Sequence, residues 1–351
     1  MARTKKAITY KSAGVDIAAG DRLVGRIRGV AQKTARAGLL AGVGGFGGLF
    51  DLAGLKYRHP VLVSSTDGVG TKLKIAAMTG IHDTVGIDLV AMGVNDILTL
   101  AAEPIFFLDY FVCGKLDVGV AAGVIRGIAE GCRQAGCVLI GGETAEHPGD
   151  FPGGEYDLAG FAVGVVEREK IPDPKSIAPG DLLVGLPSSG LHSNGYSLAR
   201  KVLLEVEGLR LEDRISELGR TLGEELLEPT RIYVKTVRAL LGGPRSHGIK
   251  GMAHITGGGI TENLPRVLPA GRRAIVRRRS WTVPPIFELV RRFGSVPQAE
   301  MDRTFNNGLG MILVVGKNDI GGVERALKKM REPYAVVGEI KKGERGTRFV
   351  S

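Results

Sequence analysis

Apolar residues along the first half of the chain fall into blocks that alternate between a period of two and a period near 3.6, the pattern of strands interleaved with helices. The β-branched run Val61-Leu62-Val63 predicts a strand over 60–65, with helices over 71–78 and 83–101, a strand over 105–112 and a helix over 118–135. Strands over 137–140 and 158–166 follow. Within helix 83–101, Ile87, Val90, Ala91, Val94, Ile97 and Leu98 share one face at 3.6 residues per turn, and Asp88, Asn95 and Asp96 lie off that stripe. The charged, proline-bearing run Glu167 to Lys175 interrupts the pattern before a new strand over 181–186. This predicts a domain boundary near residue 170, with domains over 1–170 and 171–351. The second half predicts helices over 193–205, 229–241, 261–267, 284–293 and 321–330, and strands over 274–278, 311–315 and 335–340. The class is α+β or α/β, with a carboxy-terminal mixed sheet flanked by helices.

A chain of 351 residues, 44% hydrophobic and 24% charged, has the length and composition of two globular domains. No apolar run reaches the roughly 18 residues of a membrane span, and Met1 to Tyr10 contains no secretory apolar core, so a cytoplasmic location is expected. Cys113, Cys132 and Cys137 lack metal-type spacing and sit in apolar surroundings, as reduced core thiols do. The excess of 47 Lys and Arg over 37 Asp and Glu raises the question of nucleic acid. The basic pairs are scattered and aromatic residues make up only 5% of the chain, so no stacking platform is expected. A general attraction for phosphorylated metabolites accounts for the charge, and neither nucleic acid nor membrane is expected as a partner.

Candidate chemistry concentrates where apolar runs end. Ser64-Ser65-Thr66-Asp67-Gly68-Val69-Gly70-Thr71-Lys72 brings a carboxylate, two glycines, a hydroxyl and an ammonium together behind a strand. Gly68 and Gly70 allow backbone N–H groups to approach an anion, Asp67 is a hard oxygen ligand for Mg²⁺, and Lys72 is a point charge for phosphate. The spacing differs from a Walker A loop, and a tight turn after a buried strand is the competing reading. Upstream, Gly42-Val43-Gly44-Gly45-Phe46-Gly47-Gly48 places five glycines in seven residues. Such a segment holds no regular element by itself. It reads as a loop that orders over a ligand, with a flexible linker as the alternative.

Three further stretches follow apolar runs in the same way: Gly141-Gly142-Glu143-Thr144-Ala145-Glu146, Ser188-Ser189-Gly190-Leu191-His192-Ser193-Asn194-Gly195, and His254-Ile255-Thr256-Gly257-Gly258-Gly259. Their order, together with Gly86-Ile87-Asp88-Leu89, Phe106-Phe107-Leu108-Asp109-Tyr110 and Phe305-Asn306-Asn307-Gly308, resembles the phosphoribosylformylglycinamidine cyclo-ligase (aminoimidazole ribonucleotide synthetase) family nearly end to end. The resemblance implies ATP-dependent closure of an imidazole ring on formylglycinamidine ribonucleotide. It implies Mg²⁺ held by Asp67, Asp96 and Glu143, and phosphates lined by Gly44, Gly45, Gly68, Gly70, Thr71 and Lys72. Asp67 and Lys72 would share the catalytic work with His192. On the substrate side it implies His192, Ser193 and Asn194 with Thr256, Gly257, Gly258 and Gly259, the imidazole facing the cleft. It also implies a homodimer whose amino-terminal strands form a shared barrel. Arg28 stands where family members often carry Lys. Other ATP-using members of the superfamily, such as selenophosphate synthetase and thiamine monophosphate kinase, are the runner-up readings, and an RNA-binding protein is a third.

Overall fold

Each half of the chain builds its own sheet. The computed structural model describes residues 9–242 and 248–351, so most of the amino-terminal stretch read for a secretory core lies outside the described residues. In the first half, α1 (Ile17–Gln32) precedes β1 (Pro60–Gly68), α2 (Lys72–Thr79), α3 (Asp83–Leu98), β2 (Glu103–Cys113), α4 (Val118–Ala135), β3 (Val138–Glu146) and β4 (Tyr156–Glu167). The sheet order is β1-β4-β2-β3, with only the β2–β3 pair parallel. Helices α3 and α4 touch backbone to backbone: a Cβ on Gly86 would run into the Val124 carbonyl, and one on Gly127 into that of Asp83. That close approach seals one face of the sheet. The other face carries Leu62, Thr66 and Phe161 exposed.

The second half forms a six-stranded sheet from β5 (Leu182–Pro187), β6 (Ile249–His254), β7 (Arg272–Arg277), β8 (Leu309–Val315), β9 (Ala335–Lys342) and β10 (Gly346–Val350). Its order is β6-β8-β5-β9-β7-β10, and only the β7–β10 pair is parallel. Strand β8 is buried along its whole length, as the uninterrupted run Met311 to Val315 requires of a strand covered on both faces. Helices α5 (Val234–Leu241), α6 (Pro285–Phe293) and α7 (Ile320–Lys329) flank it. The mixed α/β class is as expected. Among the described residues there is no closed barrel, and no helix is long and apolar enough to cross a membrane.

Local departures have physical causes. The helix expected over 193–205 starts at Tyr196, after a loop with positive φ at Gly190, His192 and Gly195, and passes into a π turn over Lys201–Val206. The helix expected from 229 starts at Val234, because residues ahead of it give their backbone to α3: Asn95 accepts from the Tyr233 amide at 3.0 Å and donates to the Arg231 carbonyl at 2.8 Å. The residues off the α3 stripe therefore face the second half of the chain, and Asp88 and Asn95 are completely buried there. Strands β1 and β3 run on through the polar stretches read as loops, reaching Gly68 and Glu146.

Candidate active site

The glycine segment 42–48 roofs a cavity of about 670 Å³, comparable to small-ligand pockets in general. Helix α1 forms one wall through Leu23, Val24 and Ile27, and the edge strand β3 forms another. Gly44 has φ near +119°, and a Cβ there would sit 3.0 Å from an Arg28 guanidinium nitrogen, so the loop's path needs glycine at this point. Gly45 and Glu143 also line this cavity, and Phe46 is fully exposed at its rim.

A second cavity, of about 270 Å³, lies where the two halves meet and contains Ser64, Ser65 and Asp96 from the first half with His254, Thr256, Asn263 and Arg266 from the second. Asp96 Oδ1 is 2.8 Å from His254 Nδ1, and Ser65 Oγ donates to Asp96 Oδ2 at 3.3 Å. Asp67 stands near this pair. Burial pushes its carboxyl pKa up, the negative charge of Asp96 adds to that, and the Gly68 amide, donating at 2.8 Å, opposes it. Two carboxyl groups close enough for the charge of Asp96 to act on Asp67 form a donor set suited to a hard cation, so Asp67 and Asp96 fit Mg²⁺. The loop 256–259 is pinned by Asn263 Nδ2, which donates to the carbonyls of Thr256, Gly257 and Gly259. Asn194 Oδ1 would lie 3.3 Å from a Cβ on Gly257, so the two stretches read as the substrate side do meet. Gly258 and Gly259 both take positive φ, and a Cβ on Gly259 would run into the Asp302 carbonyl. The phosphate-type turn also reaches the second half: Gly70 takes φ near +69°, and Thr71 Oγ1 is 3.1 Å from Ser197 Oγ.

Three placements depart from expectation. Lys72 does not project as a free charge. It is completely buried, its ammonium 2.8 Å from Asp88 Oδ2 and donating to the carbonyls of His192 at 3.2 Å and Glu228 at 2.6 Å, which uses all three of its donors. Asp88 further accepts from the Thr230 amide and hydroxyl and from Ser193 Oγ. Ser193 is thus committed to the same network.

His192 likewise does not face the cleft. With φ near +61° its ring turns inward, Nε2 accepts from the Ser189 amide at 3.1 Å, and the ring lies against Tyr233. Burial holds its pKa well below the usual imidazole value, with the charges of His254, Lys72 and Arg231 adding to that. Finally, Glu143 does not join Asp67 and Asp96. Cross-strand pairing puts Asp67, Gly160, Asp109 and Gly142 in one row and Gly68, Ala159, Tyr110 and Glu143 in the next, on the opposite face. Three strand spacings also separate β1 from β3, roughly 14 Å. Among the described residues no three His, Cys, Asp or Glu side chains form a metal-type cluster.

The sequence places Asp88 off the helix stripe and His254 and Asp109 in motifs without assigning them a role, and it does not single out Asn263. Asp88 and Asn95 fall seven residues apart on one helix face, a polar stripe that in hindsight signals a buried partner. Asn263 carried no signal.

Comparison with known proteins agrees with these features. Residues 51–166 match the family model described as AIR synthase related protein, N-terminal domain, and residues 178–351 match the corresponding C-terminal domain. The chain is 57% identical over 343 residues to a phosphoribosylformylglycinamidine cyclo-ligase of Citrifermentans bemidjiense, covering 98% of each. It is 59% identical over 336 residues to that of Myxococcus xanthus, covering 96% of each. Among solved structures it is similar to thiamine-monophosphate kinase from Stenotrophomonas maltophilia, with a TM-score of 0.65, 17% identity and coverage of 95% and 96%. It is also similar to the hydrogenase maturation protein HypE in complex with ATP, with a TM-score of 0.63, 18% identity and coverage of 94% and 91%. At such identities the last two speak to the fold alone.

Proposed function

The chain belongs to the phosphoribosylformylglycinamidine cyclo-ligase family of AIR synthase related proteins, and from that premise we propose that it closes the imidazole ring of formylglycinamidine ribonucleotide at the expense of ATP. The product is aminoimidazole ribonucleotide, in purine biosynthesis, with ADP and phosphate released. The observation that carries this reading is 57% identity across 98% of the chain to a relative of that name. The kinase and HypE likenesses, at 17% and 18%, give no comparable reason to assign their chemistry.

An amide oxygen is a poor leaving group, so the γ-phosphoryl group moves to the formyl oxygen. The amidine nitrogen then attacks the activated carbon, the carbon–oxygen bond breaks and phosphate departs, with one proton lost from the attacking nitrogen and one from the formamide nitrogen. Such a transfer depends on positioning and on neutralising charge. The cavity under segment 42–48 is the nucleotide site, Gly44 and Gly45 lie in its roof, and the triphosphate runs toward Gly68, Gly70 and Thr71. Asp67 and Asp96 are the residues that would hold Mg²⁺, which when bound neutralises the phosphate oxygens. Loops 190–195 and 256–259 position the ribonucleotide, while His192, Ser193 and Lys72 set the shape of the first of these from behind.

We place the protein in the cytoplasm as a homodimer. The exposed Leu62 and Phe161 on the uncovered face of the first sheet, and the exposed Leu40, Phe46 and Leu49 beside it, support pairing with a second copy there. Glu143 lies on that same face. Assay of the purified protein with formylglycinamidine ribonucleotide, and separately with thiamine monophosphate, tests the assignment. Only the former should drive ATP consumption, and phosphorylation of thiamine monophosphate instead would replace this reading with the kinase.

A further inference from the structure

The cavity under segment 42–48 has walls whose chemistry is uneven. Among the described residues no lysine or arginine lines it, and Asp109 and Glu143 are its only carboxyl side chains. Leu23, Val24 and Ile27 of α1, Ile125 of α4 and Leu139 of β3 make the remainder largely apolar, a slot for a flat, neutral group.

Asp109 is the exception within that slot. It lies on β2 at 6% exposure and lines the cavity, yet no other described residue hydrogen-bonds its carboxyl. A buried carboxyl without a partner is costly, and such a group in a cavity wall points to a ligand that completes it. The chain also makes room for it: a Cβ on Gly142, its cross-strand neighbour, would collide with Asp109 Oδ1.

We propose that Asp109 reads the base of the bound nucleotide, its carboxyl accepting from the exocyclic 6-amino group of adenine and donating to the adjacent ring nitrogen N1. The inference rests on the reading of this cavity as the nucleotide site. Burial pushes the Asp109 pKa up to about 7, which leaves a proton available for the second bond near neutral pH. Guanine presents a carbonyl and a ring N–H at the same edge and could meet the acid, but its 2-amino group would then lie unpaired against the apolar wall. That unpaired donor is the basis for selecting adenine.

Nucleotide affinities of the full chain test this, with ATP, GTP and purine riboside triphosphate, which keeps N1 but lacks the 6-amino group. The native protein should bind ATP about tenfold or more tightly than either analogue, the usual consequence of one unpaired buried polar group. Asp109→Leu should weaken ATP and leave purine riboside triphosphate equal to it. Asp109→Asn, whose amide keeps one acceptor and one donor, should preserve the preference. An unchanged ATP to purine riboside ratio in Asp109→Leu would overturn the role of Asp109. Val24→Trp narrows the cavity independently: if it weakens ATP while that ratio stays fixed in Asp109→Leu, only the assignment of Asp109 fails. If Val24→Trp leaves ATP affinity untouched, the nucleotide lies elsewhere and both readings fall.

Discussion

Replacing Lys72 by Met asks whether this lysine holds the two halves together or serves the nucleotide. Both side chains of the Lys72–Asp88 pair have zero exposure, and the ammonium also caps two carbonyls from the second half. Were the pair exposed, its loss would cost at most about 1 kcal/mol. Removing one partner of a buried pair leaves the other charged and unpaired, at a cost of about 3–5 kcal/mol. Thr230 and Ser193 continue to donate to Asp88 and place the value toward the lower end. At roughly 2–4 °C per kcal/mol, Lys72→Met should lower Tm by about 6–12 °C in calorimetry. Lys72→Met combined with Asp88→Leu should regain part of the loss, since no charge is then left buried. ATP affinity of Lys72→Met, measured well below its Tm, should change by less than about threefold. An unchanged Tm with ATP binding abolished would refute this account and restore Lys72 as a phosphate contact.

Asp67→Asn should abolish Mg²⁺-dependent turnover while leaving the Tm without metal equal or higher. The Asp67 pKa is raised in the folded state, so protonation favours folding and its charged form at neutral pH is a burden that Asn relieves. Retained turnover with ordinary Mg²⁺ dependence would make Asp67 a turn residue. His192 has the opposite sign: its folded pKa lies below the unfolded value, so its contribution to stability is complete above about pH 6.5 and is lost as the pH falls below it. His192→Gln should therefore flatten the fall in unfolding free energy between about pH 7 and 5, and an unaltered slope would show that the imidazole is not buried neutral. Hydrogen exchange across Val43 to Leu49 should slow when ATP is added, because five glycines order only when contacts offset their entropy. Equal exchange with and without ATP would remove the loop from the nucleotide site.

Period and punctuation carried much of the fold. The β-branched run at Val61 and the stripe from Ile87 to Leu98 gave a strand and a helix close to where they lie. What they could not give was the environment of residues off the stripe, because a polar side chain in a helix reads the same whether it faces water or a polar partner far along the chain. Asp88 meets Lys72 at a separation of 16 residues and Thr230 at 142, and only tertiary contact shows that all three are buried together. The same blindness misplaced His192, since a positive φ in the loop turned inward a ring that sequence alone sets in a glycine-rich turn. Glu143 was legible as an unusual carboxylate. Its face was not, because that depends on β3 continuing through Gly141 and Gly142 as a strand with alternating sides. Besides strand β6, helix α1 and strand β10 were missed. Helix α1 has only three buried residues, and β10 is a five-residue edge strand with none fully buried.

The most direct test of the central claim follows the formyl oxygen. Formylglycinamidine ribonucleotide labelled with ¹⁸O in the formyl group, incubated with the purified protein, ATP and Mg²⁺, should give aminoimidazole ribonucleotide and ADP in equal amounts, with the label recovered in the released phosphate. Ring closure with unlabelled phosphate would contradict transfer of the phosphoryl group to that oxygen, and ATP consumption without aminoimidazole ribonucleotide would contradict the assignment itself.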